Sequence, residues 1–219
     1  MNLVDYLYKL KKSNTVILTT IYPASERYLD QFFNSLVNQS TKDFDVLVLN
    51  DGVKDFDIYR LRYTILNLVE INVSGSGSFV KIRELGINTI RRLGYHYIIF
   101  GDSDDYFSEN RVEKVRVSLG TNHIVVNELT LVSDRIKVRD FLKTNLINLN
   151  ALTDHIINSN IFGFSNTALR VDILKEPVNF GDNLLAGDWY FFSTILLHFE
   201  YKIEFLDDVQ TFYRQHENN

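Results

Sequence analysis

Apolar positions in the first hundred residues fall into two alternating spacings. Thr15-Val-Ile-Leu-Thr-Thr20, Phe44-Asp-Val-Leu-Val-Leu49 and Tyr95-His-Tyr-Ile-Ile-Phe100 are short apolar or β-branched runs of strand length, and a further strand is expected near Leu68 to Val73. Between them, Ser25 to Gln39 repeats at helical spacing, with Leu29, Phe32, Phe33, Leu36 and Val37 on one side and Ser25 placed to cap it. Helices are also expected over roughly 55–68 and from the Ser74-Gly-Ser-Gly-Ser78 loop to about Leu93. Strands alternating with helices predict parallel βαβ units with right-handed crossovers. Ligands of such sheets bind beyond the carboxyl ends of the strands. Those ends hold Thr19, Thr20, Asp51, the Gly-Ser loop and Asp102.

The second half is less regular. The pattern predicts a helix after Ser108, strands around 122–133, a polar Asn-rich stretch over 144–160, a strand from Gly163 to Val171, and a helix from Asp188 to Phe199. Two short strands at about 202–206 and 209–214 follow. Without repeats or a Pro-rich linker, one domain over 1–219 is the simplest reading, and the half at 106–219 could form the acceptor side of a site whose nucleotide side is the half at 1–105. Residues 1–13 read as a short amphipathic helix, with Leu3, Leu7 and Leu10 on one face. Its first expected use is packing on the domain, and its second is peripheral contact with a membrane surface. No secretory signal is expected there, because Asp5, Lys9, Lys11 and Lys12 interrupt the apolar run.

Composition narrows the class. The 16 Phe and 12 Tyr among 219 residues exclude disorder as the main state. Cysteine is absent, so a disulfide framework, a thiolate zinc site and an iron–sulfur cluster are excluded. The net charge of −5 argues against a general nucleic-acid binder. That charge is uneven: residues 1–175 carry 21 basic and 20 acidic side chains, and residues 176–219 carry 2 and 8.

Four features carry chemistry. Gly101-Asp-Ser-Asp-Asp-Tyr106 sets three carboxylates within four residues after an apolar strand. Such a cluster needs water, protons or a cation, and hard Mn2+ or Mg2+ ions share one or two carboxylates with substrate phosphates. Upstream, Lys81, Arg83, Arg91 and Arg92 face the single acid Glu84, and the Gly75/Gly77 loop exposes N–H groups at a helix start, which favours an anion. Asp188 begins the aromatic helix Gly187-Asp-Trp-Tyr-Phe-Phe192 and reads as either an N-cap or a general base. Finally, in Tyr213-Arg-Gln-His216, Arg214 suits a diphosphate and His216 a metal or a phosphate.

In order and spacing these blocks resemble the family 2 inverting glycosyltransferases of the GT-A fold, from about Thr15 to Asn218. The resemblance is carried by Val16-Ile-Leu-Thr-Thr20, Ser35-Leu-Val-Asn-Gln-Ser40, Phe44-Asp-Val-Leu-Val-Leu-Asn-Asp-Gly52, Arg83-Glu-Leu-Gly-Ile87, Tyr97-Ile-Ile-Phe-Gly-Asp-Ser-Asp-Asp105, Gly187-Asp-Trp189 and Tyr213-Arg-Gln-His-Glu-Asn218. It implies a Rossmann-like three-layer α/β/α sandwich with a mainly parallel central sheet. Thr19 and Asp51 would contact the nucleotide base, with Thr20 beside them and either Ile21 or Tyr22 against the base. Arg83 and Arg214 would meet the nucleotide phosphates. Asp102 and Asp104 would bracket the donor, with Mn2+ or Mg2+ held mainly through Asp104 or Asp105 and His216 as a further ligand. Asp188 would take the acceptor proton.

The chain departs from that pattern at Asn50, where an Asp is frequent, and at Gly187, where a Glu is common. It also ends soon after His216, so the acceptor-binding extensions of longer members are expected to be missing. The implied activity is inverting, metal-assisted transfer from a nucleoside-diphosphate sugar, UDP-sugar first, to a saccharide or glycolipid acceptor in polysaccharide or glycolipid assembly. The implied setting is cytoplasmic, or peripheral at the inner membrane face. The alternative is a nucleotide-sugar-binding scaffold without turnover. A dinucleotide dehydrogenase is disfavoured because Gly75-x-Gly77-x-x-Val80 follows the third strand and ends in Val.

Overall fold

A computed structural model describes residues 3–75, 78–133, 137–145, 156, 159–181, 184, 186–197 and 200–215. The described elements run α1 (Leu3–Leu10), β1 (Thr15–Ile21), α2 (Glu26–Val37), β2 (Asp45–Asn50), α3 (Asp57–Arg62), β3 (Asn67–Asn72), α4 (Phe79–Arg92), β4 (Tyr97–Phe100) and β5 (Tyr106–Phe107). They continue through α5 (Arg111–Leu119), β6 (Ile124–Val132), β7 (Lys137–Val138), α6 (Phe141–Asn145), β8 (Thr167–Arg170), α7 (Gly187–Leu196) and β9 (Ile203–Arg214).

One sheet joins the chain in the order β3-β2-β1-β4-β8-β6-β9-β5, with β7 paired to β6. The first four strands are all parallel, as is the long β6–β9 ladder; the shorter ladders of β8, β5 and β7 are antiparallel. β1 and β2 are buried along their whole length, which is why they read as continuous apolar runs rather than alternating ones. Their side chains still sort by a period of two. Val16, Leu18, Leu47, Leu49, Ile98 and Phe100 pack with α1, α4 and α7, while Ile17, Ile21, Val46, Val48 and Ile99 pack with α2 and α5. The expected three-layer α/β/α sandwich is therefore present.

The two halves interlock at the carboxyl end of β4. β8 pairs with β4 on the near side of the acidic turn, and β9 pairs with β5 on its far side. α1 packs on the domain through Leu7, and Lys11 Nζ donates to the Gly94 carbonyl at 2.8 Å.

Several expected elements differ. The helix at 55–68 shrinks to α3, which buries none of its residues. The strand over Gly163–Val171 shrinks to β8, because Gly163 to Asn166 form a turn instead. The two terminal strands are one, β9, whose register against β6 jumps between Leu206 and Gln210; Asp207 and Asp208 look like a break but sit in a bulge. Ser25 holds the N-cap position of α2 and ends a 3₁₀ turn, but its hydroxyl donates to the Tyr22 carbonyl at 2.8 Å rather than capping the helix N–H groups. Gly77, His216 and most of the Asn-rich stretch lie outside the described residues.

Gly86 lets α4 lie close on the sheet. A Cβ there would stand 2.6 Å from Leu49 Cδ1 and 2.8 Å from Leu18 Cδ1. Gly86→Ala is therefore expected to cost about 1–3 kcal/mol through overpacking, read as a lowered midpoint in urea unfolding.

Candidate functional site

The acidic segment after β4 is a closed turn. The Gly101 N–H donates to the Leu18 carbonyl at 3.1 Å, and the Asp105 N–H donates to the Asp102 carbonyl at 3.1 Å. The chain thus bends before Asp104, and the alternation that would send Asp102 and Asp104 to opposite faces of a strand does not apply. Both carboxylates bear electrostatically on Tyr22 at the end of β1. Asp105, expected beside Asp104 as a metal ligand, ends the same turn directly before β5. It is buried, its Oδ2 accepts from the Ser165 hydroxyl, and its Oδ1 accepts from the Arg214 N–H at 2.7 Å. Burial and the charges of Asp102 and Asp104 raise its carboxyl well above the usual carboxylate range.

Arg83, on the first turns of α4, is only 1% exposed. Its guanidinium lies 5.0 Å from the Phe79 ring centroid and 5.2 Å from that of Phe164, and Nη2 forms an ion pair with Asp102 Oδ1. Its Nε and Nη1 have no hydrogen-bond partner among the described residues. Burial raises the Asp102 carboxyl; Arg83 pulls it down, and Asp104 and Asp188 push it up again.

Asp188 is not the N-cap of α7. The cap position is Ala186, and Asp188 lies within the first turn with Oδ1 accepting the Trp189 N–H at 2.8 Å. Gly187 lets this helix start approach α4, since a Cβ there would stand 2.6 Å from Val80 Cγ1. Arg214 closes the other side. Nε donates to the Asp104 carbonyl at 2.9 Å, Nη2 donates to Gln31 Oε1 at 2.6 Å, and the guanidinium lies 4.2 Å from the Tyr28 ring centroid. One of its guanidinium donors therefore holds the turn and another reaches α2.

The structure brings together Tyr22, Arg83, Asp102, Asp104, Asp105, Asp188 and Arg214. Asp51 sits at the end of β2, its N–H donating to the Ile21 carbonyl at 2.8 Å. Thr19 and Thr20 are buried in β1 with unpartnered hydroxyls. His216 is outside the described residues.

Three residues at the site carry no role in the sequence reading. Tyr213 is half-buried, and its phenol is raised by burial and by Asp105, Asp102, Asp104 and Asp188. Ser165 holds Asp105 from the turn before β8. Arg111, 1% exposed, donates to the carbonyls of Phe100 and Ser165 at 2.8 Å each and to Asn127 Oδ1 at 3.0 Å. Burial pushes its guanidinium down to about 9, against the pull of Asp105 and Asp102. A signal for it existed: Arg111 precedes Val112 and lies one turn before Val115, on the buried side of α5.

Solved structures share this architecture. S. aureus TarS residues 1–349 in complex with UDP-GlcNAc matches with a TM-score of 0.71 at 21% identity, over 94% of this chain and 59% of that one. GalNAc-T7 with UDP, GalNAc and Mn2+ matches at 0.65 and 9%, over 92% and 44%. The mannosyltransferase PcManGT of Pyrobaculum calidifontis with GDP-Man and Mn2+ matches at 0.63 and 16%, over 94% and 57%. The fold is GT-A. No family model and no curated relative matches the chain. It spans about 60% of TarS 1–349, so what the longer proteins do is not thereby assigned to it.

Among the described residues, no three His, Asp or Glu side chains converge to hold a metal ion. The donors present still fit a hard divalent ion. Two carboxylates with water and substrate phosphates are a sufficient oxygen set, and the orphaned Arg83 nitrogens beside them suit an anion.

Arg111→Met would take a donor from two buried carbonyls, those of Phe100 and Ser165, and from Asn127 Oδ1. It is expected to destabilise by about 3 kcal/mol or more, measured by urea denaturation.

Proposed function

We propose that this protein transfers a sugar from a nucleoside-diphosphate sugar, UDP-sugar first, to the hydroxyl of a saccharide or glycolipid acceptor, with inversion and with Mn2+ or Mg2+. The observation that carries this is Arg83, buried, ion-paired to Asp102 and left with unpartnered nitrogens at the carboxyl edge of the parallel strands. Fold likeness to proteins solved with UDP-GlcNAc, with UDP and Mn2+, and with GDP-Man and Mn2+ supports the same reading.

In this reading Asp51 and Tyr22 flank the nucleotide, with Thr19 and Thr20 behind them in β1. Arg83 and the remaining Arg214 donors meet the diphosphate. Asp188 accepts the acceptor hydroxyl proton while the new oxygen–carbon bond forms. The bond from the anomeric carbon to the phosphate oxygen breaks, and its electron pair leaves with the nucleoside diphosphate. Asp104, with Asp102 close by, and His216 would hold the divalent ion, which would supply charge neutralisation on the diphosphate. The exposed Tyr6, Tyr8 and Lys9 on α1 support the peripheral membrane contact proposed for residues 1–13, on the cytoplasmic side.

A thermal-shift screen of UDP-, GDP- and dTDP-sugars with Mn2+ should single out the donor, since a bound ligand raises apparent stability by mass action. Asp104→Ala should then abolish Mn2+-dependent donor binding in calorimetry; unchanged affinity and metal response would remove Asp104 from the site. Asp188→Asn should bind donor as before and lose transfer by about 100-fold or more. Normal rates in that variant would refute its role as base. Saturable UDP binding with no turnover on any acceptor would instead mark a nucleotide-sugar-binding scaffold.

A further inference from the structure

Gly163, Phe164 and Ser165 are consecutive, and each abuts a different part of the site. A Cβ at Gly163 would lie 4.0 Å from Asp188 Oδ2. The Phe164 ring centroid lies 5.2 Å from the Arg83 guanidinium. The Ser165 hydroxyl donates to Asp105 Oδ2 and lies 3.5 Å from the Asp102 N–H.

The segment is itself held rigidly. Asn166 Oδ1 accepts the Gly163 N–H at 2.9 Å, and Asn166 Nδ2 donates to the carbonyls of Ile161 and Asn127 at 3.0 and 3.3 Å. The Ser165 carbonyl accepts from Arg111 Nη2 at 2.8 Å and from Thr211 Oγ1 at 2.9 Å. Phe164 is buried against Phe100, Phe191 and Phe192, with ring centroids 5.0, 5.8 and 5.9 Å away. Phe100 ends β4, and Phe191 and Phe192 belong to α7, so one ring spans the two elements that carry the acidic turn and Asp188.

We propose that Gly163-Phe164-Ser165 is a positioning segment that sets Asp188 in register with Arg83 and the acidic turn. The inference rests on the glycosyl-transfer reading. Transfer requires the base and the donor-binding groups to be fixed relative to each other, and misplacement by about 1 Å costs about 100-fold in rate. Each of the three residues fixes a different group. Gly163 seats the base, Phe164 sandwiches the donor arginine against Phe79, and Ser165 ties down the turn that carries Asp102 and Asp104.

Adjacent substitutions should therefore give different signatures. Ser165→Ala is expected to weaken Mn2+–UDP binding by about tenfold, and Ser165→Thr, which keeps the hydroxyl, should restore it. Phe164→Leu should weaken UDP binding by about threefold with or without Mn2+, and Phe164→Tyr should restore it. Gly163→Ala, which sets a Cβ 2.9 Å from Asn166 Oδ1 and so shifts the segment that lies beside Asp188, should leave Mn2+–UDP affinity intact and lower the transfer rate by about 100-fold. Calorimetry with Mn2+ and UDP reads the first two, and transfer from the nucleotide-sugar chosen by the screen reads the third. Circular dichroism confirms that each variant is folded. Equal losses in all three variants, or unchanged Mn2+–UDP binding in Ser165→Ala, would overturn the proposal. If the wild-type chain binds Mn2+–UDP but transfers no sugar, the glycosyl-transfer reading fails, while the split in binding between Ser165→Ala and Gly163→Ala still decides this inference.

Discussion

Asp102, Asp104 and Asp105 share one turn, and two unit charges about 4 Å apart repel by about 4 kcal/mol at an effective dielectric near 20. Much of the surrounding structure is an answer to that repulsion. Asp105 is taken out of the cleft and given two hydrogen bonds, from the Ser165 hydroxyl and the Arg214 N–H. Asp102 is given a buried counter-ion in Arg83. Arg111 lies buried beneath, its charge felt by both Asp102 and Asp105. At Asp104 it is the backbone carbonyl that the Arg214 guanidinium meets.

That arrangement explains why the sheet has to mix parallel and antiparallel strands. The parallel βαβ run supplies the turn, Arg83 and Asp51, but nothing in it could reach under the turn. β8 enters beside β4 and delivers Ser165, and β9 pairs with β5 and delivers Arg214 and Tyr213. The acidic turn is thus built from both parts of the chain. The later residues build its floor, and Asp188 arrives on a helix that packs against the start of α4.

What could be read from the sequence was local. The βαβ alternation, the acidic turn at a strand end, Arg83 on the helix after the glycine loop and Asp188 at a helix start all follow from spacing. What could not be read was nonlocal: Ser165 meets Asp105 across 60 residues, and the Arg214 N–H meets it across 109. No periodicity encodes such pairs. Two strands were expected where β9 is one because a bulge admits Asp207 and Asp208, and charge patterning cannot distinguish a bulge from a turn. Arg111 was overlooked for the opposite reason. Its helical position marks it as buried, but a charged residue on an apolar face is easily assigned to the rim rather than to the core.

The two departures from the glycosyltransferase pattern also acquire physical causes. Asn50 Nδ2 donates to Glu70 Oε1 at 2.7 Å and to the Val53 carbonyl at 3.0 Å, while its Oδ1 accepts the Val53 N–H at 2.8 Å. An Asp there would lose both donations and face a second carboxylate, so with Glu70 on β3 the amide is the compatible residue. At Gly187, a Glu would bring a Cβ to 2.6 Å from Val80, forcing α7 away from α4 and moving Asp188 with it. Both departures accommodate a neighbour, Glu70 in one case and Val80 in the other.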